Sequence, residues 1–286
     1  MCSMKMYKIL IMKRVLVFFG CLAGLALNSC TEMVTDIDLP VSDPSLVVNT
    51  YLSPEDSLIL VVLSKSQPLN QVWTETDFSK AVVSLVSSQG SMVIPYDQVI
   101  GNIFSLPVSA YPLQPGNTYT LQVSLDGFET VYGSTTIPPV INTMVEYTGM
   151  TRKYDFDMEQ FYYFLNFSLT DLPGQDNYYY ARCMISRSWD TTYFEDLYED
   201  RGRLFLSDKN NDGGKLYYSF RTWEEDIHSV RMILYTTDEA FYRFHRTFFS
   251  FSGDDPFAEP VVVYSNVSNG LGAVGSYRLY EYTIHL

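Results

Sequence analysis

The chain has 286 residues, 47% hydrophobic and 15% aromatic, with 19 Lys and Arg against 33 Asp and Glu. Four basic residues and no acidic ones precede Cys30, so residues 31–286 carry 15 basic and 33 acidic side chains, a net charge of −18. Such a charge repels nucleic acid and anionic lipid headgroups, which argues strongly against binding to DNA, RNA or a membrane surface through charge. The apolar content suffices for one large or two small hydrophobic cores.

Residues 1–30 have the order of a bacterial lipoprotein signal peptide. Lys13 and Arg14 precede an apolar run at residues 15–27, and Cys30 follows three residues later. The run is shorter than the roughly 20 residues that a membrane-spanning helix needs, so it is interpreted as a signal segment. Cys30 is the predicted lipidation site, whose acyl chains would anchor the protein. The alternative is an ordinary cleaved signal in which Cys30 carries no lipid.

A lipidated Cys30 predicts an exported protein, anchored in the outer membrane on its periplasmic or cell-surface face. Residues 31–44 are polar and are interpreted as a tether between the lipid and the folded chain. Only Cys183 lies beyond Cys30, so the mature chain cannot form an intramolecular disulfide, and packing alone must stabilise its fold. Cys183 sits in a strand-like run and is predicted to be a buried, unreactive thiol.

Residues 45–139 are predicted to form an immunoglobulin-like or fibronectin-like β-sandwich, because strand-like runs alternate with turn signals about every 8–12 residues. A turn at Pro115-Gly116 leads into a strand in which Tyr119 and Leu121 face the same side. This pattern resembles a tyrosine corner, in which the Tyr hydroxyl is bonded to upstream backbone. Pro138 and the proline after it are predicted to close the domain.

Residues 140–286 are predicted to form a larger β-sandwich or partial barrel with one packed helix. Apolar residues alternate through the run 161–169, which is the period of a half-buried strand. A helix is predicted near residues 237–252, where aromatic residues and His245 recur at helical spacing. Thr236 and Glu239 have the spacing of a capping box at its start, and Gly253 provides a stop signal. The fold class is therefore all-β with one helix.

Short motifs distributed along the mature chain resemble one known family. Residues 46–57 read Leu-Val-Val-Asn-Thr-Tyr-Leu-Ser-Pro-Glu-Asp-Ser, and residues 206–208 read Leu-Ser-Asp. Residues 256–272 contain Pro-Phe-Ala-Glu-Pro, Val-Tyr-Ser-Asn and Asn-Gly-Leu-Gly in that order. The set resembles domain of unknown function 4249, a family of Bacteroidota envelope lipoproteins. The resemblance implies an envelope lipoprotein, often encoded near TonB-dependent outer-membrane transporters, and implies no catalytic residues.

One acidic motif is a weak match to a calcium loop. Asp208, Asn210 and Asp212 offer oxygen ligands at alternate positions, with Gly213 after them. The bidentate Glu that the motif requires at its twelfth position is replaced by Ser219. An Asp- and Asn-rich hairpin turn is the simpler interpretation. The sequence therefore predicts neither a metal nor a cofactor, and these three residues are the only candidate ligands.

The candidate ligand-binding residues are Trp73, Trp189 and Trp223, which fall in predicted loops or strand ends. Exposed aromatic rings there would stack on sugars or grip a peptide, while cross-strand aromatic packing is the simpler alternative. No catalytic motif is present: the sequence lacks a metal-binding His-Glu-x-x-His, a Gly-x-Ser-x-Gly elbow, a Ser-x-x-Lys pair and a phosphate-binding loop.

These observations predict a non-enzymatic accessory or binding lipoprotein of the outer membrane. Its predicted partners are the membrane, through the lipid, and a TonB-dependent transporter. Nucleic acid is not a predicted partner. The alternative is a surface glycan-binding or hydrolytic protein that uses loops of residues 140–286.

Overall fold

A computed structural model describes residues 43–67, 74–99, 101–140, 145–197, 203–250 and 262–286. The signal peptide, Cys30 and nearly all of the predicted tether lie outside the described residues, as does Trp73. Within those ranges the chain is mostly β-strand with one α-helix, which confirms the predicted all-β class. Among them, no helix is both long and apolar enough to span a bilayer.

The strands follow one another closely along the chain. In order, they are β1 (Leu46–Leu52), β2 (Leu58–Lys65), β3 (Val82–Ser87), β4 (Gly90–Ile94), β5 (Ile103–Pro107), β6 (Thr118–Ser124), β7 (Val131–Thr136), β8 (Val145–Asp155), β9 (Gln160–Thr170), β10 (Tyr178–Arg187), β11 (Asp190–Asp196), β12 (Arg203–Ser207), β13 (Lys215–Thr222), β14 (Ile227–Thr237), β15 (Val267–Ser268) and β16 (Leu271–His285). The helix α1 (Glu239–Phe249) lies between β14 and β15, and short 3-10 helices span Phe78–Lys80 and Val108–Ala110.

The first half of the described chain packs as a β-sandwich. One layer has the strand order β15-β7-β6-β3-β4, and the other contains β1, β2 and β5. Alternate residues of each strand point into the core between the layers, where Val61, Leu85 and Leu121 are almost completely buried. Tyr119 is fully buried, and its hydroxyl accepts a hydrogen bond of 2.7 Å from the backbone N–H of Gln114. The Tyr119 hydroxyl is therefore bonded to upstream backbone, as the sequence pattern predicts.

A second core lies between the three-stranded sheet β13-β9-β8 and the strands β10 and β14. The period-2 pattern of β9 buries Leu165, Phe167 and Leu169 on one face, as predicted. Cys183 on β10 is fully buried in the same core, and burial raises the pKa of its thiol. It therefore behaves as a small apolar residue.

The long strand β16 joins the two halves. Its residues Leu271–Ser276 pair in parallel with β1, and its residues Tyr277–His285 pair in antiparallel fashion with β14. One large sheet therefore has the order β11-β10-β14-β16-β1-β2-β5, with β12 also paired to β10. Ser42–Leu286 form one compact unit. The two cores lie on either side of the predicted boundary at residue 139, but β15 and half of β16 return to the first sandwich.

The residue that caps α1 lies two positions after the predicted one. Thr236, the predicted capping residue, belongs to β14, and the residue that caps α1 is Asp238, whose Oδ1 accepts a 2.8 Å hydrogen bond from Phe241 N. The prediction of Thr236 as the cap is therefore wrong, because Thr236 and Thr237 still pair with β16. Gly253, the predicted stop, lies outside the described residues.

Candidate functional site

A cavity of about 520 Å³ lies between α1 and the face of the large sheet that α1 covers. Its size falls within the ~300–1,000 Å³ that is typical of small-molecule sites. Three kinds of residue form its walls. Aliphatic residues come from β2, aromatic residues come from α1 and from the strands β1, β10, β14 and β16, and a few polar side chains complete the lining. It is the candidate functional site of the described chain.

The aliphatic wall comes from the strand β2, which is apolar on both faces. Ile59 and Val61 point into the core of the first sandwich, whereas Leu58, Leu60 and Val62 line the cavity. Leu58 and Leu60 remain 41% and 43% exposed. A strand with one face toward solvent normally alternates apolar and polar residues, so this second apolar face requires an explanation beyond folding.

The aromatic wall is built around His245 of α1. The His245 ring lies 4.0 Å from the ring of Phe241 and 4.7 Å from that of Tyr51, measured between centroids. Tyr235 continues the wall, with ring centroids 5.1 Å from Tyr180 and 5.4 Å from a tyrosine of β16. His245 Nδ1 donates to the Phe241 carbonyl at 2.9 Å, and burial lowers the pKa of His245. The imidazole is therefore neutral at pH 7.

The polar groups of the cavity are mostly paired within the protein. Arg182 forms an ion pair with Asp196. Asp56 accepts a hydrogen bond of 2.7 Å from the hydroxyl of Tyr277, and burial raises the pKa of Asp56. The buried hydroxyl of Tyr51 is different, because it has no hydrogen-bond partner among the described residues. The Nε of Arg182 also has no hydrogen-bond partner among the described residues, although its guanidinium charge is paired with Asp196. A ligand in the cavity would therefore meet paired charges and two unpaired polar groups, the Tyr51 hydroxyl and the Arg182 Nε.

The position of α1 over the sheet depends on Asp238 and Gly275. A Cβ atom on Gly275 would lie 3.0 Å from Phe241 N, so glycine permits the close approach of α1 to β16. Asp238 Oδ1 also accepts a 3.1 Å hydrogen bond from Ser276 N. Burial raises the pKa of Asp238 to about 6. Two smaller cavities, of about 500 and 380 Å³, lie beside Asp238.

The candidate metal ligands lie in a turn whose carboxylates already have hydrogen-bond donors. Asp208 and Asp212 come together with Asp171, and one ligand atom from each lies within 4.8 Å of the others. Asp208 is buried and accepts hydrogen bonds of 3.0 and 3.2 Å from the backbone N–H and the side-chain amide of Asn177. Burial raises the pKa of Asp208.

The other two carboxylates of this cluster are bonded in the same way. Asp171 accepts from the Tyr179 hydroxyl and from Gly213 N, at 2.5 and 2.9 Å, and Asp212 accepts from Gly174 N at 2.8 Å. Asn210, the remaining candidate ligand, is exposed. The prediction of a hairpin turn is wrong, because β12 pairs with β10 whereas β13 pairs with β9 in another sheet. Residues 208–214 are instead a turn that connects the two sheets, and its carboxylates are bonded to the loop at residues 171–177.

The two described tryptophans lie away from the three cavities. Trp189, at the turn between β10 and β11, is 72% exposed. Trp223 packs against Tyr162, with ring centroids 5.4 Å apart, and the guanidinium of Arg221 lies 4.5 Å from its ring. Neither lines any of the three cavities. Tyr51 and Leu60 were not among the predicted site residues, although the uninterrupted apolar run of β2 indicates a second apolar face.

Comparison with known families identifies the family of this chain. The family model described as "Domain of unknown function (DUF4249)" matches residues 32–283. The chain belongs to this family. The match spans all of the residues that form the cavity and confirms the resemblance read from the short motifs. No curated protein matches the chain.

Proposed function

We propose that this protein is a lipid-anchored, non-enzymatic binding protein of the outer membrane, and that it holds an uncharged, hydrophobic, ring-bearing small molecule in the cavity between the sheet and α1. The observation that carries this proposal is the cavity itself, with an aliphatic wall of Leu58, Leu60 and Val62 opposite an aromatic wall around His245. Sites of this kind bury most of a small ligand against apolar surface and orient it with a few polar groups.

The charges around the cavity favour a neutral ligand. Arg182 is paired with Asp196, and Asp56 is bonded to a tyrosine hydroxyl with its pKa raised by burial. A charged group on the ligand would therefore lose water without gaining a free counter-charge among the described residues, which is unfavourable. The Tyr51 hydroxyl provides one hydrogen bond to a polar atom of the ligand.

The membrane anchor rests on the sequence. A Lys-Arg pair, an apolar run and Cys30 support lipidation, and the family resemblance supports an envelope lipoprotein of the Bacteroidota that assists a TonB-dependent transporter. A bound hydrophobic molecule fits this role, because a binding protein on the outer membrane would retain a poorly soluble compound near a transporter. We propose no catalytic step.

Ligand binding is testable with the uncharged fluorescent probe N-phenyl-1-naphthylamine and residues 31–286 prepared without detergent. We expect saturable binding with enhanced fluorescence, and a loss of at least tenfold in affinity for Leu60→Lys, which places a charge in the aliphatic wall. Val93→Lys is the matched control, because Val93 is 61% exposed on β4 and does not line the cavity. Equal affinities of the wild type and Leu60→Lys would refute the proposed site.

Anchoring is testable by mass spectrometry of the full chain purified from membranes. We expect an acylated N-terminal Cys30, and release of the Cys30→Ser variant from the membrane fraction. A mature N-terminus downstream of Cys30 without lipid would refute the anchor. Purification of the native protein in mild detergent is expected to recover a TonB-dependent transporter, and failure to recover any envelope protein would count against the accessory role.

A further inference from the structure

Two of the three histidines of the chain lie side by side at one end of the large sheet. His228 is near the start of β14 and His285 is the last residue of β16. Their ring centroids are 5.8 Å apart, with an angle of 60° between the ring planes. Sequence spacing gives no sign of this pair, because the antiparallel register of β14 and β16 alone brings the two residues together.

A β-bulge turns His228 toward this position. On the neighbouring strand β10, Ser186 pairs with Ser229 and Arg187 pairs with Ile227, so His228 is an extra residue without a partner on β10. In a regular strand, His228 would face the opposite side from Ser229, which pairs with His285. A bulge re-aims the side chain of its extra residue, and here it places the two imidazoles beside each other.

A buried serine fixes the orientation of the second ring. Ser229 is 1% exposed, and its Oγ lies 2.7 Å from His285 Nδ1. With Nδ1 held by this hydroxyl, Nε2 is the nitrogen of His285 that is left to bind a ligand. Histidines that bind metals usually donate their other ring N–H to an acceptor, which fixes the tautomer and the ring orientation. With a metal on Nε2, His285 Nδ1–H would donate to the Ser229 hydroxyl in this way.

We propose that His228 and His285 form a binding site for a divalent transition-metal ion of the Cu²⁺, Ni²⁺ and Zn²⁺ class, with water completing the coordination. Imidazole nitrogen suits these ions, whereas Ca²⁺ and Mg²⁺ prefer oxygen ligands. Two imidazoles that share an ion at ~2.1 Å have ring centroids roughly 5–6 Å apart, which agrees with the observed separation. Cu²⁺ binds most tightly in this class. This site is separate from the cavity and does not depend on the proposed ligand.

The test uses the full chain in detergent, without a polyhistidine tag, and Cu²⁺ as the probe in electron paramagnetic resonance and titration calorimetry. We expect one bound Cu²⁺ with hyperfine coupling to two nitrogens in the wild type. His228→Ala or His285→Ala should leave one nitrogen and lower the affinity at least tenfold. Ser229→Ala should keep both nitrogens and lower the affinity up to about tenfold, because only the orientation of His285 is lost.

Asp212→Asn is the control for the carboxylate cluster, and we expect it to bind Cu²⁺ as tightly as the wild type. A double His228→Ala, His285→Ala variant leaves His245 as the only imidazole, so any nitrogen coupling that it retains belongs to His245. Two-nitrogen coupling or wild-type affinity in either single variant would overturn the proposal, and so would oxygen-only coupling in the wild type.

One further measurement needs no variant and therefore does not depend on whether the substituted chains fold. Diethyl pyrocarbonate modifies accessible imidazoles, and mass spectrometry locates the modified residues. We expect Zn²⁺ to protect His228 and His285 of the wild type together from modification. Equal modification of both residues with and without Zn²⁺ would overturn the proposal.

Discussion

The hydrogen bonds around Asp238 indicate which protonation state the fold prefers. Thr135 Oγ1 lies 2.6 Å from Asp238 Oδ2 and 2.7 Å from Ser276 Oγ, and the Ser276 hydroxyl donates to the Thr136 carbonyl at 2.8 Å. Thr135 has one hydroxyl hydrogen, so it donates to only one of its two neighbours. If Asp238 is protonated, it donates to Thr135, Thr135 donates to Ser276, and each of the three contacts is a hydrogen bond. If Asp238 is ionised and accepts from Thr135, the contact between Thr135 and Ser276 has no hydrogen.

Replacing Asp238 with asparagine should therefore stabilise the protein at neutral pH. The amide oxygen still accepts from Phe241 N and Ser276 N, and the NH₂ group replaces the carboxylic O–H as a donor to Thr135. Burial raises the pKa of Asp238 from 3.8 to about 6, which corresponds to about 3 kcal/mol of unfolding free energy. The contribution is fully present below pH 3.8 and is lost as the pH rises through about 6, because the unfolded chain releases its proton first.

The assay is equilibrium unfolding in urea at several pH values between 4 and 8, for the wild type, Asp238→Asn and Asp238→Ala. We expect Asp238→Asn to equal the wild type near pH 4 and to exceed it by up to about 3 kcal/mol at pH 7.5. Asp238→Ala should be destabilised by about 1–2 kcal/mol at pH 4, because it removes the helix cap. If the free energies of unfolding of Asp238→Asn and the wild type differ by the same amount at every pH, the proposed role of the Asp238 proton is refuted.

Three further substitutions or reactions test the packing. Gly275→Ala should destabilise the protein by about 1–3 kcal/mol and weaken probe binding, because its Cβ forces α1 away at Phe241; thermal unfolding and probe titration measure both effects. Tyr119→Phe should lower the unfolding free energy by about 1–2 kcal/mol, because Gln114 N–H loses its acceptor. Cys183, buried and with a raised thiol pKa, should react with Ellman's reagent only after urea unfolds the mature protein.

Matched controls separate these effects from general damage to the fold. Val93→Ala alters an exposed strand position and should leave stability and probe binding nearly unchanged, in contrast to Gly275→Ala. Tyr132→Phe removes the hydroxyl of a tyrosine that is 41% exposed and should change the unfolding free energy by less than about 0.5 kcal/mol. A Tyr119→Phe variant as stable as Tyr132→Phe would contradict the role of the Tyr119 hydroxyl, and rapid reaction of the native thiol would contradict the burial of Cys183.

Local patterns could be predicted from the sequence, and contacts between distant segments could not. The alternation in β9 and the turn before Tyr119 involve residues within about ten positions of each other, and both predictions are confirmed. The cap was misplaced by two residues, because a capping box at Thr236 and a cap at Asp238 have similar local chemistry and only the pairing of β14 with β16 decides between them.

The cavity and the histidine pair depend on pairings across most of the chain. Asn49 pairs with Ala273, and this parallel pairing of β1 with β16 brings Tyr51 beneath α1. No short-range pattern in the sequence specifies that pairing, since β2 to β15 all lie between the two strands in the sequence. His245 was correctly expected on the aromatic face of the helix, but the partners of that face could not be identified without the sheet order.

The same few residues hold α1 to the sheet and hold the two halves of the chain together. Thr135 belongs to β7 of the first sandwich, Ser276 lies where β16 passes from β1 to β14, and Asp238 contacts both while it caps α1. The cavity is thus framed by one half through β2, by the other through β10 and β14, and by a helix fixed at their junction. A change that loosens this junction, such as Asp238→Ala or Gly275→Ala, must alter the distance between the aliphatic and aromatic walls, so it should lower probe affinity and stability together. Leu60→Lys alters one wall alone and should lower probe affinity without a matching loss of stability.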